Sequence, residues 1–451
     1  MNKETRHKRF FHLTSIITDY FPAAGAHFLD MLMKNLLGNK ILLRFFSHQS
    51  KRRIENLRKP NRFLIAADLN MGDAIISSSG VIALRKIFPQ AEIDFVIKKS
   101  VKDLFSGDPD ISNLFPIYQG APYPTEVDLF KLSHIVDSKE YDLIINYSPM
   151  ISDKTFGKNR VVNYSLMAAH LIRNEKFVKS INNVSYQAYL FIINLFRDYL
   201  PSGFNLSFEG SVIYLSEEAI ESATEFLIRN NVPDELPIIM FNPDASAKFT
   251  MIPFDIQLDL LKRLCAFECT ILLGAGHVEK YIERKLLRSL PEVNRKKIII
   301  IPVEFKLDAY TALIDFADIF ITGDTGPLHL AAARKYSQSQ GGSLRNKTAV
   351  YSIFGSTPPR IYGFDSETPG FFAANQDAPS RVFVSEAVCR NITCINKLAK
   401  TCREVRCFQS LDINKIVSEV AGYLLRTMIY RNFEKNIIER YTVYYSPKPN
   451  L

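Results

Sequence analysis

The sequence predicts an α/β protein with two doubly wound parallel-sheet domains that face each other across a cleft. Short runs of strand length alternate with amphipathic stretches of helix length, and this alternation indicates parallel sheets covered by helices. The alternation comes in two series, separated by a polar stretch at residues 205–237. The chain has 451 residues, of which 47% are hydrophobic and 23% charged, so it is large enough to bury two cores.

The first series covers residues 61–205. Its strand runs are rich in Val, Ile and Leu, as expected where both faces of a parallel sheet are buried. The helical stretches repeat apolar residues at a spacing of three or four. We predict strands at Phe63–Ala67, Ile93–Ile97, Leu114–Tyr118 and Leu143–Asn146, and helices at Asp73–Phe88 and Val127–Ser138.

The second series follows the same logic over residues 206–425. One helix, Glu217–Asn230, lies in the polar junction between the two series. We predict strands at Ile238–Phe241, Thr270–Leu273, Ile298–Ile301, Ile319–Thr322 and Thr348–Phe354, and helices at Phe254–Ala266, Glu279–Ser289, Leu307–Phe316 and Leu328–Arg334. A tail then remains at residues 426–451.

Residues 1–60 fit neither series and form a basic arm. The arm carries twelve Lys and Arg against four Asp and Glu, so it holds most of the formal net charge of +9. Apolar residues between Phe28 and Phe46 recur at helical spacing. A basic amphipathic helix of this kind can lie in an anionic membrane surface or can pack on the body of the protein. Both interpretations remain open.

Composition also excludes several classes of protein. No stretch approaches the roughly 18 uninterrupted apolar residues of a membrane span. The apolar part of the N-terminus is short and broken, so we do not expect a cleaved signal peptide. Six cysteines are few for this length and suit a reducing, cytoplasmic compartment. Basic charge is confined to the arm and no known module appears, so we expect no nucleic-acid partner.

Asp73 is the first candidate catalytic residue. It belongs to the segment Asn70–Asp73, which follows the first predicted strand and opens a helix. Gly72 would let the chain turn tightly there, and Asp73 stands where a helix N-cap worth about 1 kcal/mol belongs. Alternatively, Asp73 is a carboxylate at the carboxyl end of a strand, where it can act as a general base on a hydroxyl group.

A second segment, GDTGPLHLAAA at residues 323–333, follows the strand Ile319–Thr322. It predicts a helix whose N-terminal amides and dipole form an anion site for a phosphate or diphosphate. Thr325 can add a hydroxyl beside Gly326, and Asp324 can bind sugar hydroxyls. His329 lies one turn into the helix, where a lone histidine more often packs in the core than binds a ligand.

Two further loops follow predicted strands of the second series. Small residues and Lys248 come after Ile238–Phe241, and the lysine can provide the point charge of a phosphate cradle or be a solvated loop residue. Gly274 opens the glycine-rich turn after Thr270–Leu273 and allows a ligand to approach closely. Glu279 in the same turn can accept hydrogen bonds from ribose or act as a first-turn helix acid.

Four cysteines cluster late in the chain. Four thiolates can bind zinc or iron tetrahedrally, but the usual two-residue knuckle spacing is missing, which favours a packing role. These residues are Cys389, Cys394, Cys402 and Cys407.

Taken in order, these segments resemble a known family. The run from Met71 to Asp94, the motif at residues 323–333, the turn FGSTPPR at residues 354–360 and the trailing cysteines with SLDI at residues 410–413 resemble glycosyltransferase family nine, the ADP-heptose:lipopolysaccharide heptosyltransferases. The resemblance covers about residues 62–425. It departs in the loop after Lys248, which lacks a tryptophan common in that family, and at Ser77–Ser79, where the family often has Thr-Pro.

The resemblance implies a GT-B fold, with an acceptor-binding domain at 61–205 and a nucleotide-sugar-binding domain at 206–425. It implies an inverting reaction without metal or cofactor, in which Asp73 is the general base and Lys248 neutralises the diphosphate of ADP. Thr325 and Gly326 would hold phosphate oxygens, Asp324 would orient the heptose and Glu279 would contact the nucleoside. Gly274 and His329 complete the expected donor site.

The expected function is therefore transfer of a heptose from ADP-heptose to a lipopolysaccharide inner-core acceptor. The enzyme would lie in the cytoplasm, peripheral on the inner face of the inner membrane through residues 1–60. Two alternatives remain: a member of the family that glycosylates a protein, and a catalytically silent scaffold that binds a nucleotide sugar.

Overall fold

The fold is an α/β architecture with two separate parallel sheets. It is known from a computed structural model, which describes residues 54, 57–67, 70–118, 125–148, 153–157, 159–164, 183–208, 210–245, 250–274, 285–339, 348–355, 359–366, 378–385 and 406–445. Most of the predicted arm and the loops with Lys248 and Glu279 lie outside these residues.

The first sheet has five parallel strands in the order β3-β2-β1-β4-β5. Strands β1 and β4 pair in the centre, with Phe63 opposite Leu143, and both are buried along nearly their whole length. The strands are β1 Arg62–Ala66, β2 Glu92–Lys98, β3 Asn113–Tyr118, β4 Leu143–Asn146 and β5 Val161–Asn163.

The second sheet has six parallel strands in the order β11-β10-β9-β6-β7-β8. Its central pair is β6 and β9, with Phe241 opposite Ile321. The strands are β6 Ile238–Asn242, β7 Thr270–Gly274, β8 Ile298–Ile301, β9 Ile319–Gly323, β10 Ala349–Phe354 and β11 Ser380–Val384.

Helices connect the strands, as crossovers between parallel strands require. The first four helices, of which α1 follows β1, are α1 Met71–Ile87, α2 Glu126–Ser138, α3 Val184–Leu195 and α4 Glu217–Arg229. The later helices are α5 Phe254–Leu264, α6 Glu292–Arg295, α7 Leu307–Phe316, α8 Gly326–Ser339, α9 Pro359–Tyr362 and α10 Ile413–Tyr445.

The predicted strands are confirmed to within a residue or two at each end. The same holds for the predicted helices that lie fully within the described residues, with one exception. Helix α8 extends five residues beyond its predicted end at Arg334. The predicted helix Glu279–Ser289 falls partly outside the described residues. Sequence analysis missed β5, β11, α3, the 33-residue helix α10 and the four-residue helices α6 and α9. Helix α3 is buried at ten of its twelve positions, so it is apolar all round and shows no helical periodicity. Helix α10 runs on through residue 426, where the tail was expected to begin.

Both sheets reverse their strand order at one point. In the first sheet β1 lies between β2 and β4, and in the second sheet β6 lies between β7 and β9. At such a point the connections leave on opposite faces of the sheet, so a crevice opens at the carboxyl ends of the two central strands. Segments that follow β1, β6 and β9 are therefore best placed to bind ligands.

Residues 211–213 connect the two halves through side-chain bonds. Ser211 Oγ lies 2.8 Å from Ser79 Oγ of α1, and Arg334 of α8 donates to the carbonyl oxygen of Ile213. Arg334 also donates to both carboxylate oxygens of Asp315 on α7, at 3.1 and 3.0 Å. The connection thus holds α1 of one half against α8 of the other. Of the three serines Ser77–Ser79, Ser79 takes part in this packing, whereas Ser77 and Ser78 donate to carbonyl oxygens of their own helix.

No helix among the described residues combines the length and apolar character that crossing a membrane demands.

Candidate active site

The first sheet contributes the start of α1. The helix begins at Met71 and its N-cap position is Asn70, so Asp73 is the third helical residue. The expectation that Asp73 is the N-cap was therefore wrong by three residues. The Asn70 side chain makes no capping bond; its Oδ1 accepts a hydrogen bond of 3.2 Å from Lys98 Nζ at the end of β2. This arrangement leaves Asp73 at the carboxyl edge of the sheet with its side chain uncommitted to a cap.

The residue Asp73 is exposed to solvent. Its carboxyl group nevertheless lies close to enough protein to lose hydration. Desolvation by the surrounding protein raises the pKa of its carboxyl group from 3.8 to about 6, and the positive charge of Lys98 acts in the opposite direction. A carboxylate with a pKa in this range is ionised at neutral pH and more basic than an ordinary aspartate. Both properties suit a general base.

The start of α1 contacts the start of α8. A Cβ on Gly72 would lie 3.0 Å from His329 Cδ2 and 3.3 Å from Gly326 Cα, and a Cβ on Gly326 would lie 2.5 Å from Met71 Cε. Gly72 has no positive φ angle, so close approach of the two helices, and not a tight turn, explains the glycine. The carboxylate-bearing turn and the proposed anion-binding turn are thereby held side by side.

His329 is buried between the two halves. It is 6% exposed, packs edge-on against Phe364 with ring centroids 5.8 Å apart, and has no hydrogen-bond partner at Nδ1. Burial lowers the pKa of its imidazole from 6.5 to about 4, so the ring is neutral at physiological pH. His329 therefore contributes shape, but no charge, to the contact with Gly72.

A hydrogen-bond network organises the edge of the second sheet. Asn242, the last residue of β6, donates to Thr322 Oγ1 on β9 at 3.1 Å and accepts from the Tyr310 hydroxyl at 3.4 Å. Thr322 Oγ1 lies 3.3 Å from Thr325 Oγ1. Gly274 at the end of β7 packs against this network, since a Cβ there would lie 3.1 Å from Asn242 Oδ1. The network fixes Thr325 directly before α8.

The loop with Lys248 lies outside the described residues, but both of its ends are placed. Gln257 of α5 donates to the carbonyl oxygens of Pro243 at 3.4 Å and Ile252 at 2.5 Å. A Cβ on Gly323 would lie 3.0 Å from the carbonyl oxygen of Thr250. Thr250, the first described residue after the loop, therefore lies beside Gly323, which directly precedes Asp324, Thr325 and Gly326. Glu279, in contrast, belongs to a segment that the structure does not describe.

The late cysteines give no metal centre within the described part of the chain. Cys407 is buried, 8% exposed, while Cys389, Cys394 and Cys402 lie outside the described residues. Where side chains are described, no group of three or more His, Cys, Asp or Glu residues could hold a metal ion. Of the four cysteines, the structure describes the burial of Cys407, and this burial agrees with a packing role.

Sequence analysis missed three residues of this region: Lys98, Gln257 and Tyr310. Lys98 ends β2, which is buried from Ile93 onward, and is 5% exposed, so a charged residue that closes a buried run was the available signal. Gln257 and Tyr310 lie on amphipathic helices, where nothing in the sequence distinguishes them from surface polar residues. Their roles depend on contacts between distant segments.

Comparison with known proteins gives a consistent picture. Residues 170–338 match the sequence profile of glycosyltransferase family 9 (heptosyltransferase). Searched against curated protein sequences, the chain has no match.

Solved structures with a similar fold include a family 9 glycosyl transferase from Veillonella parvula DSM 2008, with a TM-score of 0.59 and 16% identity over 82% of this chain and 99% of that one. The E. coli ADP-heptose lps heptosyltransferase II has a TM-score of 0.56 and 17% identity over 81% and 99% of the two chains. E. coli heptosyltransferase WaaC with ADP has a TM-score of 0.50 and 14% identity over 80% and 99%. At these identities the structures show a shared fold.

Proposed function

We propose that the chain is a glycosyltransferase of family 9 that moves a heptose from ADP-heptose to a lipopolysaccharide inner-core acceptor, a proposal supported by the family profile that matches residues 170–338. The observation that carries the proposal is the contact of the first turns of α1 and α8 at Gly72 and Gly326. It supports a single site in which a general base on one half meets a diphosphate-binding turn on the other. The two sheets would form a GT-B cleft around this site.

Asp73 would start the reaction by removing the proton from the acceptor hydroxyl. The oxygen then attacks the anomeric carbon of the heptose, and the bond between that carbon and the β-phosphate oxygen breaks. Attack from the face opposite the leaving group inverts the anomeric carbon, and ADP leaves with the bonding electrons. The carboxylate keeps the proton until solvent takes it.

The leaving diphosphate needs charge stabilisation, which the second half would supply. The positive end of the α8 dipole at Gly326 and the ammonium group of Lys248 would stabilise the negative charge on ADP, and Thr325 would donate its hydroxyl. Asp324 would orient the heptose. Glu279 would bind the nucleoside, with Gly274 allowing its close approach. With these groups the proposed reaction would need no metal ion to stabilise the leaving diphosphate.

Selective stabilisation by ADP tests the donor. A ligand that binds only the folded state at 100 times its Kd adds about 2.7 kcal/mol to the free energy of unfolding. We expect ADP to raise the melting temperature in a thermal unfolding experiment, and UDP and GDP at equal concentration to leave it nearly unchanged. Stabilisation by UDP or GDP alone would overturn the ADP-sugar donor. No stabilisation by any nucleotide would contradict a nucleotide-sugar donor site and, with it, the enzyme proposal.

The acceptor class would set the location of the enzyme. A lipopolysaccharide core lies at the membrane and is anionic, so the basic residues 1–60 would hold the enzyme on the cytoplasmic face of the inner membrane.

Deletion of residues 1–50 tests the arm. The deletion should stop there because Ile54 is 7% exposed and belongs to the hydrophobic core. We expect the truncated protein to lose co-sedimentation with vesicles containing anionic lipid while it keeps its melting temperature and its response to ADP. Unchanged sedimentation would show that the arm packs on the body instead. Transfer of labelled heptose to protein in place of glycolipid would indicate a protein acceptor.

A further inference from the structure

Lys98 is a buried cation at the edge of the first sheet. It is the last residue of β2 and is 5% exposed. Among the described residues, its ammonium group has one hydrogen-bond partner, Asn70 Oδ1, at 3.2 Å. Burial of a charge is costly unless another charge or several hydrogen bonds compensate for it, so this lysine calls for an explanation.

Asn70 explains the placement of the lysine. Asn70 holds the N-cap position of α1 with an extended backbone, φ −67° and ψ 168°, and its carbonyl oxygen accepts from Ala74 N at 2.9 Å. An asparagine at this position ordinarily caps its own helix with its side chain. Here the side chain is turned to Lys98 instead. The bond therefore ties the first turn of α1 to the end of the neighbouring strand.

Asp73 lies in that same first turn, and the charge of Lys98 acts on it. The lysine opposes desolvation and lowers the pKa of the Asp73 carboxyl group. The other titratable group at this contact, His329 of α8, is neutral, because burial lowers its pKa to about 4. Lys98 is thus the described cation whose field reaches the candidate base.

We propose that Lys98 is a positioning residue for Asp73, because it ties the first turn of α1, which carries Asp73, to the end of β2 through Asn70. The positive charge of Lys98 would act on the same carboxyl group. This inference rests on the proposed role of Asp73 as general base. The two parts are separable, because Asn70 carries the mechanical connection alone and the lysine carries both the connection and the charge.

The test compares four variants of the full-length chain. Lys98→Met removes charge and connection, Lys98→Arg keeps the charge, and Asn70→Ala keeps the charge but removes the connection. Lys102→Met is the matched control, since it removes an exposed lysine from the short 3₁₀ helix Lys99–Leu104 that follows β2. The readouts are the pH profile of ADP release from ADP-heptose with heptose-free lipopolysaccharide, and the titration of the Asp73 carboxyl by ¹³C NMR, assigned with Asp73→Asn.

We expect Lys98→Met to move the acidic limb of kcat/KM and the NMR midpoint upward by about one pH unit. Lys98→Arg, which keeps the charge, should return the acidic limb and the NMR midpoint most of the way to their wild-type values. Asn70→Ala should lower kcat several-fold but leave the pH profile as in the wild type. Lys102→Met should match the wild type in both kcat and pH profile. An unchanged midpoint in Lys98→Met would overturn the charge effect, and an unchanged kcat in Asn70→Ala would overturn the connection.

Folding and function are kept apart in this design. If Lys98→Met lacks a cooperative thermal transition, Lys98→Arg and Asn70→Ala decide: wild-type kcat and pH profile in both would contradict the inference. If Asp73→Asn keeps full turnover, the proposed base itself fails, whatever the lysine variants show. Loss of turnover in Asp73→Asn with wild-type behaviour in every lysine and asparagine variant would leave the base intact and remove only Lys98 from the account.

Discussion

Asp73→Asn should abolish most turnover, lowering kcat by about 10²–10⁴-fold, the usual contribution of a general base. Asparagine has nearly the shape of aspartate but cannot accept the proton of the acceptor hydroxyl. The fold should survive. The raised pKa of Asp73 means that the folded protein favours the neutral form of this side chain, so a neutral amide should unfold at the same or a slightly higher temperature.

The pH profile provides a second measure of the same group. Only the ionised carboxylate can act as base, so kcat/KM should fall as pH decreases through about 6, the pKa of Asp73, with a slope approaching tenfold per unit. In Asp73→Asn the small residual activity should lose this limb. Stopped assays of ADP release between pH 5 and 8 would measure both.

Asp103→Asn is a suitable control for this prediction. Asp103 is exposed on the short helix after β2, near the same edge of the sheet, and its replacement changes the net charge equally. It should leave kcat and the pH profile unchanged. Wild-type turnover in Asp73→Asn would show that another group takes the proton, and binding of ADP without turnover in the wild type would identify a silent scaffold.

Much of the fold was accessible from the sequence because parallel strands buried on both faces appear as continuous apolar runs. Ile319–Gly323 is buried at every position, and its sequence shows this directly. Helix α3 is also buried nearly throughout, but its apolar residues have no period that separates a helix from a strand. β5 has only three residues, too few for a pattern.

The candidate site likewise has residues that the sequence predicts and residues that it does not. Asp73 and the turn before α8 were accessible because each follows a predicted strand at its carboxyl end, where ligands bind in such sheets. Lys98 was not, because its partner Asn70 lies 28 positions earlier and the two meet only when β2 pairs with β1. Gly72 and Gly326 belong to different halves of the chain, so the sequence around either residue alone does not predict their close contact.

Gly326→Ala should impair catalysis far more than stability. The new methyl group would lie 2.5 Å from Met71 Cε and 3.3 Å from the backbone nitrogen of Gly72. The flexible end of Met71 can move away, whereas the backbone of α1 must shift by a few tenths of an ångström. Such a shift would separate Asp73 from the proposed diphosphate-binding turn, and small misplacements of reacting groups cost up to about 10²-fold in rate. We expect kcat/KM to fall by about 10- to 100-fold, with a loss of about 1 kcal/mol in stability from overpacking.

Two further variants identify the cause. Gly422→Ala places a methyl group on α10 with no atom within 4 Å, so it should leave activity unchanged and stabilise the protein by about 0.5–1 kcal/mol through helix propensity. Combining Met71→Ala with Gly326→Ala removes the side-chain clash but keeps the 3.3 Å contact with Gly72 N. Partial recovery of kcat/KM in the double variant would assign the remaining loss to displacement of the α1 backbone. Wild-type kcat/KM in Gly326→Ala would mean that the contact of α1 and α8 does not position the reacting groups, and the single-site proposal would lose the observation that carries it.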